Sequence, residues 1–248
     1  MASPLHWSFD HSQSRSQRGF APELLTILRG SFERTPKPGV ARYMVLPNHW
    51  GGFASSSEKT DKLAYGEAVI ITKGANEGNR TDVEYSNVAS GETLRLRYRT
   101  DGSPIRQLQG PWEVDARNDG PGMYKTFTCS GEIKDGSVRL TVAGLALDAG
   151  SVGHGEPVIC SWTLYEIIPA LVASGKTFTV IDDGEKVKRS CRLKPMGEWV
   201  CEGKRYSGYA LQGIGAGHTY YWIDENGKTA VMSNPFNTFV LAGTGGTA

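Results

Sequence analysis

Asp82-Val83-Glu84-Tyr85-Ser86-Asn87, Val88-Ala89-Ser90-Gly91, Glu92-Thr93-Leu94-Arg95-Leu96-Arg97-Tyr98-Arg99 is the stretch from which the fold is read. Apolar and polar residues alternate on both sides of a turn, which is the period of a half-buried strand. With Ser90-Gly91 as a two-residue loop, Glu84 faces Arg97, Asp82 faces Arg99 and Ser86 faces Arg95. On the other side Val83 meets Tyr98 and Tyr85 meets Leu96. Opposite charges then share one face and apolar side chains the other, and a one-residue slip would destroy both matches. The row Arg95, Arg97, Arg99 therefore reads as a solvated ladder of ion pairs, each worth at most about 1 kcal/mol, and not as an anion-binding stripe.

The same rhythm extends outward. Asp101-Gly102, Asp135-Gly136, Asp183-Gly184 and Asn226-Gly227 each lie between runs of strand-forming residues. Asx-Gly marks a hairpin because a type I′ turn needs positive φ at both central residues. Further strands are predicted at 40–46, 67–73, 124–129, 138–142, 177–181, 187–193, 198–202, 206–212, 219–223, 229–232 and 236–241. A hairpin turn at Lys194-Pro195-Met196-Gly197 would set Cys191 opposite Cys201, as two buried thiols or as a cross-strand disulfide. Two long Gly-rich stretches, 47–60 and 143–157, read as loops. One helix is predicted at 161–174, capped by Ser161, interrupted by Pro169, stopped by Gly175 and covering an open end or edge. A shorter one is predicted at 22–29. The chain is thus expected to be all-β: an antiparallel up-and-down barrel, similar to lipocalin-like barrels in architecture alone, with a two-sheet sandwich as the alternative. Residues 1–39 are expected to form an irregular N-terminal segment with a short helix packed on the barrel, and 40–248 the barrel domain.

Composition narrows the partners. A net charge of +1 offers no clustered basic face for nucleic acid. No run of about 18 apolar residues suggests a membrane span. The polar first residues hold no signal peptide, so a cytoplasmic location is expected unless a leader has been removed. Free thiols agree with that compartment. No cofactor fingerprint, P-loop or GxSxG elbow occurs, no metal site is expected, and a homo-oligomer is compatible with the chain.

Candidate chemistry rests on histidine and aromatic residues. His218, Tyr220 and Trp222 share one face of a strand, and imidazole, phenol and indole together suit an oxygenated apolar or aromatic ligand. His154 sits in a loop with Glu156 available to orient it. His49 and Trp50 precede Gly51-Gly52 in a long loop that could form a lid. His6 and His11 lack the spacing of helical zinc ligands. Asp224 and Glu225 belong to the Asn226-Gly227 turn. The resulting expectation is a cofactor-independent isomerase, cyclase or lyase working by general acid–base catalysis. His218 or His154 would be the base, Tyr220 the acid, His49 a lid residue, and Trp222, Trp50 and Glu156 would hold substrate. The same pocket without turnover would make a binding or carrier protein, and a carbohydrate-binding sandwich is a third reading.

Overall fold

Among the described residues fifteen strands follow one another, and nearly all pair with their sequence neighbours. A computed structural model describes residues 39–47, 66–87, 91–119, 125–201 and 203–242. The strands are β1 (Val40–Pro47), β2 (Gly66–Thr72), β3 (Arg80–Asn87), β4 (Glu92–Thr100), β5 (Leu108–Asn118), β6 (Lys125–Lys134), β7 (Ser137–Val142) and β8 (Leu145–Ser151). Then come β9 (Val158–Cys160), helix α1 (Leu164–Ser174), β10 (Phe178–Asp182), β11 (Lys186–Cys201), β12 (Lys204–Ile214), β13 (Thr219–Ile223), β14 (Thr229–Ser233) and β15 (Asn237–Leu241). They form one sheet in the order β8-β7-β6-β5-β4-β3-β2-β1-β15-β14-β13-β12-β11-β10-β9. The chain is all-β, as expected, and two antiparallel meanders meet where β1 pairs with β15. The exception is β9–β10, which pair in parallel with α1 as their crossover. Parallel neighbours need such a connection.

The sheet rolls up against the helix. Thr163, just before α1, donates to the Tyr98 hydroxyl of β4 at 2.9 Å, while α1 also touches β11. Those strands stand eight steps apart in the sheet. A flat sheet would separate them by about 38 Å at about 4.8 Å per step. One face of the helix is buried through Leu164, Tyr165, Ile167, Ile168 and Leu171, while Pro169, Val172 and Ser174 are exposed. Glu166 meets Thr72 at the end of β2 and Pro169 lies beside the turn at Gly227, so the helix lies across strand ends. The expected pairing of the two free edges is not what closes the roll. Among the described residues β8 and β9 are not hydrogen bonded to each other, and instead β9 lies against β5 and β8 against β11. The overlap is fastened by Trp112 of β5, whose indole N–H donates to the Gly184 carbonyl at 2.9 Å. Asp183 and Gly184 hold φ of 50° and 77°, the Asx-Gly turn expected there.

Several expectations are corrected. Asp82 pairs with Arg97, Glu84 with Arg95 and Val83 with Leu96, two residues from the expected register. Asn87 pairs with Glu92, so the connection is longer than two residues. A shift of two keeps every side chain on its face, and the ladder survives with new partners: Arg97 bridges Asp82 and Glu113, each at 3.1 Å. Lys194 to Gly197 do not turn. β11 runs through them with a bulge between Pro195 and Gly197, and the hairpin comes after Cys201. Cys191 and Cys201 are thus ten residues apart on one strand, about 33 Å, and cannot be bridged. Cys191 is a free buried thiol. The stretch 143–157, expected to be a loop, contains β8, because its glycines fall at the strand's ends and at its bulge. β5 lies outside the predicted strands because Gly110-Pro111 breaks its alternation. Ser161 begins a 3-10 turn and makes no helix cap. Its hydroxyl accepts the Asp183 N–H at 3.2 Å instead. Gly175 ends the helix in the left-handed conformation, as expected.

Candidate functional site

The turn from β9 into α1 drives two large rings into the core. Trp162 stacks on Tyr165 with centroids 5.5 Å apart and planes 11° from parallel. Phe239 of β15 meets Trp162 edge-on at 5.9 Å, Tyr221 of β13 meets Tyr165 at 6.2 Å, and Tyr85 of β3 lies 6.0 Å from Trp162. These five residues are all buried. Beside them lies a cavity of about 490 Å³, within the range of small-molecule sites. Its apolar wall is made by the five rings with Leu94, Leu211 and Met232. Its exposed side carries Glu92, Asp182, Asp183, Glu185, Lys186 and Lys188, and also the turn Asn234-Pro235-Phe236-Asn237 between β14 and β15. Phe236 is 76 % exposed there, a large apolar ring held in water at the rim of an aromatic cavity.

Asp183 joins wall and rim. Its Oδ1 accepts the Trp162 indole N–H at 2.8 Å. Asp183 is exposed at the rim of the cavity, with its carboxyl crowded by Trp162, Asp182 and Lys188. Burial first, then repulsion from Asp182, pushes its pKa up to about 7, while the Trp162 bond and Lys188 pull it down. Lys188 is itself paired with Asp182 at 2.7 Å. Burial also raises Glu185, with Glu92 and Asp182 adding to the shift. The Tyr165 hydroxyl is buried and finds no hydrogen-bond partner among the described residues. A buried hydroxyl left unpaired is costly.

The raised Asp183 pKa makes folding stability depend on pH. Between its ordinary 3.8 and about 7 the unfolded chain has lost this proton while the folded chain keeps it. This group's contribution is therefore intact below about pH 4 and is lost as pH rises toward 7. Asp183→Asn keeps an acceptor for Trp162 and suits a left-handed Asx-Gly turn. It is expected to remove that loss, so the urea midpoint of the variant, relative to wild type, should climb between pH 4 and 7.

The residues singled out in the sequence lie elsewhere. His218 is exposed, Tyr220 is half-buried, and neither they nor Trp222 line the cavity. The face of β13 that reaches it carries Thr219 and Tyr221. Trp222 is buried on the opposite face, where its indole lies over Gly208, the residue directly across the ladder. His154 is exposed in the loop before β9. Glu156 does not orient it: its carboxylate accepts from the Thr179 hydroxyl at 2.7 Å and the Ser190 N–H at 3.1 Å, tying the loop to β10 and β11. Burial acts to raise the Glu156 pKa, but these bonds outweigh it and hold it below the ordinary value. His6, His11, His49 and Trp50 lie outside the described residues. Asp224 accepts the Asn226 and Lys228 N–H groups, as a hairpin residue would. Burial pushes the thiols up, to about 11 for Cys129 and Cys191 and about 12 for Cys160, so none is a ready nucleophile.

Sequence reasoning did not reach Asp183, Trp162, Tyr165 or Phe236 as a group. Asp183 was legible as a turn residue and Trp162 as part of a helix, but no local pattern tells that a turn and a helix start will meet.

No family model matches the chain, and no curated protein matches it. Among solved structures it is similar to a beta-barrel-like protein of a domain of unknown function, DUF1849, from Brucella abortus, at 13 % identity, covering 85 % of this chain and 98 % of that one, with a TM-score of 0.49. No helix among the described residues is long and apolar enough to cross a membrane.

Proposed function

We propose that the protein binds and carries a small, largely apolar or aromatic molecule in the cavity between α1 and the inner face of the sheet. The observation that carries this reading is a void of about 490 Å³ walled by tyrosine, tryptophan and phenylalanine, with Phe236 exposed at its rim. An apolar ring held out in water loses free energy that a bound apolar ligand returns by covering it. A carrier is favoured over an acid–base enzyme because neither described histidine lines the cavity. A catalytic version of the site would have to use Asp183, whose perturbed carboxyl is the titratable group nearest in character to a general acid or base.

The test uses N-phenyl-1-naphthylamine, a neutral probe that brightens in apolar surroundings. A single saturable site is expected. Phe236→Ser should weaken it about tenfold, since covering a phenyl ring contributes roughly 1.5–3 kcal/mol. It should leave thermal stability nearly unchanged, because the ring is outside the core. His218→Asn should bind the probe as wild type does. Fluorescence that rises linearly without saturation, or is indifferent to Phe236→Ser, would overturn the reading.

A further inference from the structure

The charges around the cavity are not balanced. Four carboxylates line it, those of Glu92, Asp182, Asp183 and Glu185, against two ammonium groups, Lys186 and Lys188. Lys188 is already engaged with Asp182 at 2.7 Å. Lys188 is thus shared between Asp182 and Asp183, and Lys186 acts on Glu185, so two cations face four carboxylates. Mutual repulsion is visible in the site: Glu92 and Asp182 both act to keep protons on Asp183 and Glu185. A positive charge entering the cavity would relieve all of these contacts together.

The carboxylate nearest the aromatic wall is also fixed in place. Asp183 is held from two sides, its N–H on the Ser161 hydroxyl and its Oδ1 on the Trp162 indole. The Trp162 bond puts a carboxylate at the edge of the ring stack, so one ligand group can meet the anion and the negative faces of tyrosine or tryptophan rings together. The second, independent sign of a missing polar partner is the Tyr165 hydroxyl, deeply buried in the same wall and without a hydrogen bond among the described residues. From this geometry we infer that the ligand is an organic ammonium compound, with an apolar or aromatic body against the Trp162–Tyr165 wall and its cationic nitrogen at Asp183. The inference rests on the binding reading above and names the class of molecule that the same site takes.

The experiment compares three ligands of one size at pH 8, above the raised Asp183 value of about 7: 4-phenylbutylammonium, 4-phenylbutanol and 4-phenylbutyrate, titrated by calorimetry into the full chain. The ammonium is expected to bind at least tenfold tighter than the alcohol, and the carboxylate weakest. Asp183→Asn should cost the ammonium about tenfold and change the alcohol less than twofold. Raising salt from 50 to 500 mM should weaken the ammonium only. Phe236→Ser should weaken ammonium and alcohol alike, since it removes apolar cover and no charge. Equal affinity of ammonium and alcohol, or tighter binding of the butyrate, would overturn the charge assignment and leave the cavity reading standing. An Asp183→Asn protein that keeps full ammonium affinity would also overturn it. If none of the three saturates, both the charge assignment and the binding reading fall.

Discussion

Gly131→Ala is expected to destabilise the protein by roughly 2–6 kcal/mol, although it adds one methyl group. Gly131 of β6 stands directly opposite Trp112 of β5. A Cβ at Gly131 would fall 2.1 Å from the indole Cε2 and 2.4 Å from its nitrogen. The ring has nowhere to go: Trp112 is 1 % exposed and its N–H is bound to the Gly184 carbonyl. Gly184 is itself hemmed in, with the Val114 side chain 2.5 Å from where its own Cβ would be. Overpacking of this kind typically costs about 1–3 kcal/mol, and pulling the indole off its acceptor adds about 1–3 kcal/mol for the buried group left unpaired. The damage would spread beyond the site, because this contact fastens β5 to the β10–β11 turn. Urea unfolding with a double-mutant cycle measures it. Trp112→Ala alone should cost about 3–5 kcal/mol, and Gly131→Ala added to that variant should cost little more. A wild-type background that accepts alanine at 131 without loss would show that the ring is not pinned.

Trp162→Ala should cost about 3–5 kcal/mol, because the side chain is buried among Tyr85, Tyr165 and Phe239 and no neighbour can fill its volume. Trp162→Phe separates packing from hydrogen bonding. It keeps a ring in the stack and deletes the N–H that Asp183 accepts at 2.8 Å. Its stability loss should be smaller, about 1 kcal/mol, because the open face of Asp183 lets water replace the lost donor. The clearer readout is electrostatic. The Trp162 bond lowers the Asp183 pKa, so its removal should move that titration above its present value of about 7. Carboxyl chemical shifts followed by NMR across pH 5–9 would record the move. An Asp183 that titrates at the same pH in wild type and Trp162→Phe would show that the indole does not tune the carboxyl.

How much of this could be read in advance differs from element to element. Alternation along β3 and β4 named the correct buried faces: Val83, Tyr85, Leu94, Leu96 and Tyr98 are all buried. The same alternation left the register two residues out, because faces repeat every two residues and only the turn length distinguishes such registers. β13 was harder. Its two faces, Tyr220 with Trp222 and Tyr221 with Ile223, are both aromatic or apolar, so periodicity cannot say which one looks inward. The histidine and tryptophan made one face look like a pocket, and the structure puts the cavity on the other.

The order of residues along the chain therefore determined strands, turns and the all-β class, since those depend on pleat and on the φ values that Asp-Gly and Asn-Gly tolerate over a few positions. Tertiary structure alone decided that the sheet rolls up against α1, that β5 is fastened to the β10–β11 turn by Trp112 and Gly184, and that Trp162, Asp183 and Phe236 surround one cavity. The reason is physical. These contacts span 21 to 77 residues of chain, and they are selected by the total packing of the enclosed rings, to which no local run of residues holds the key.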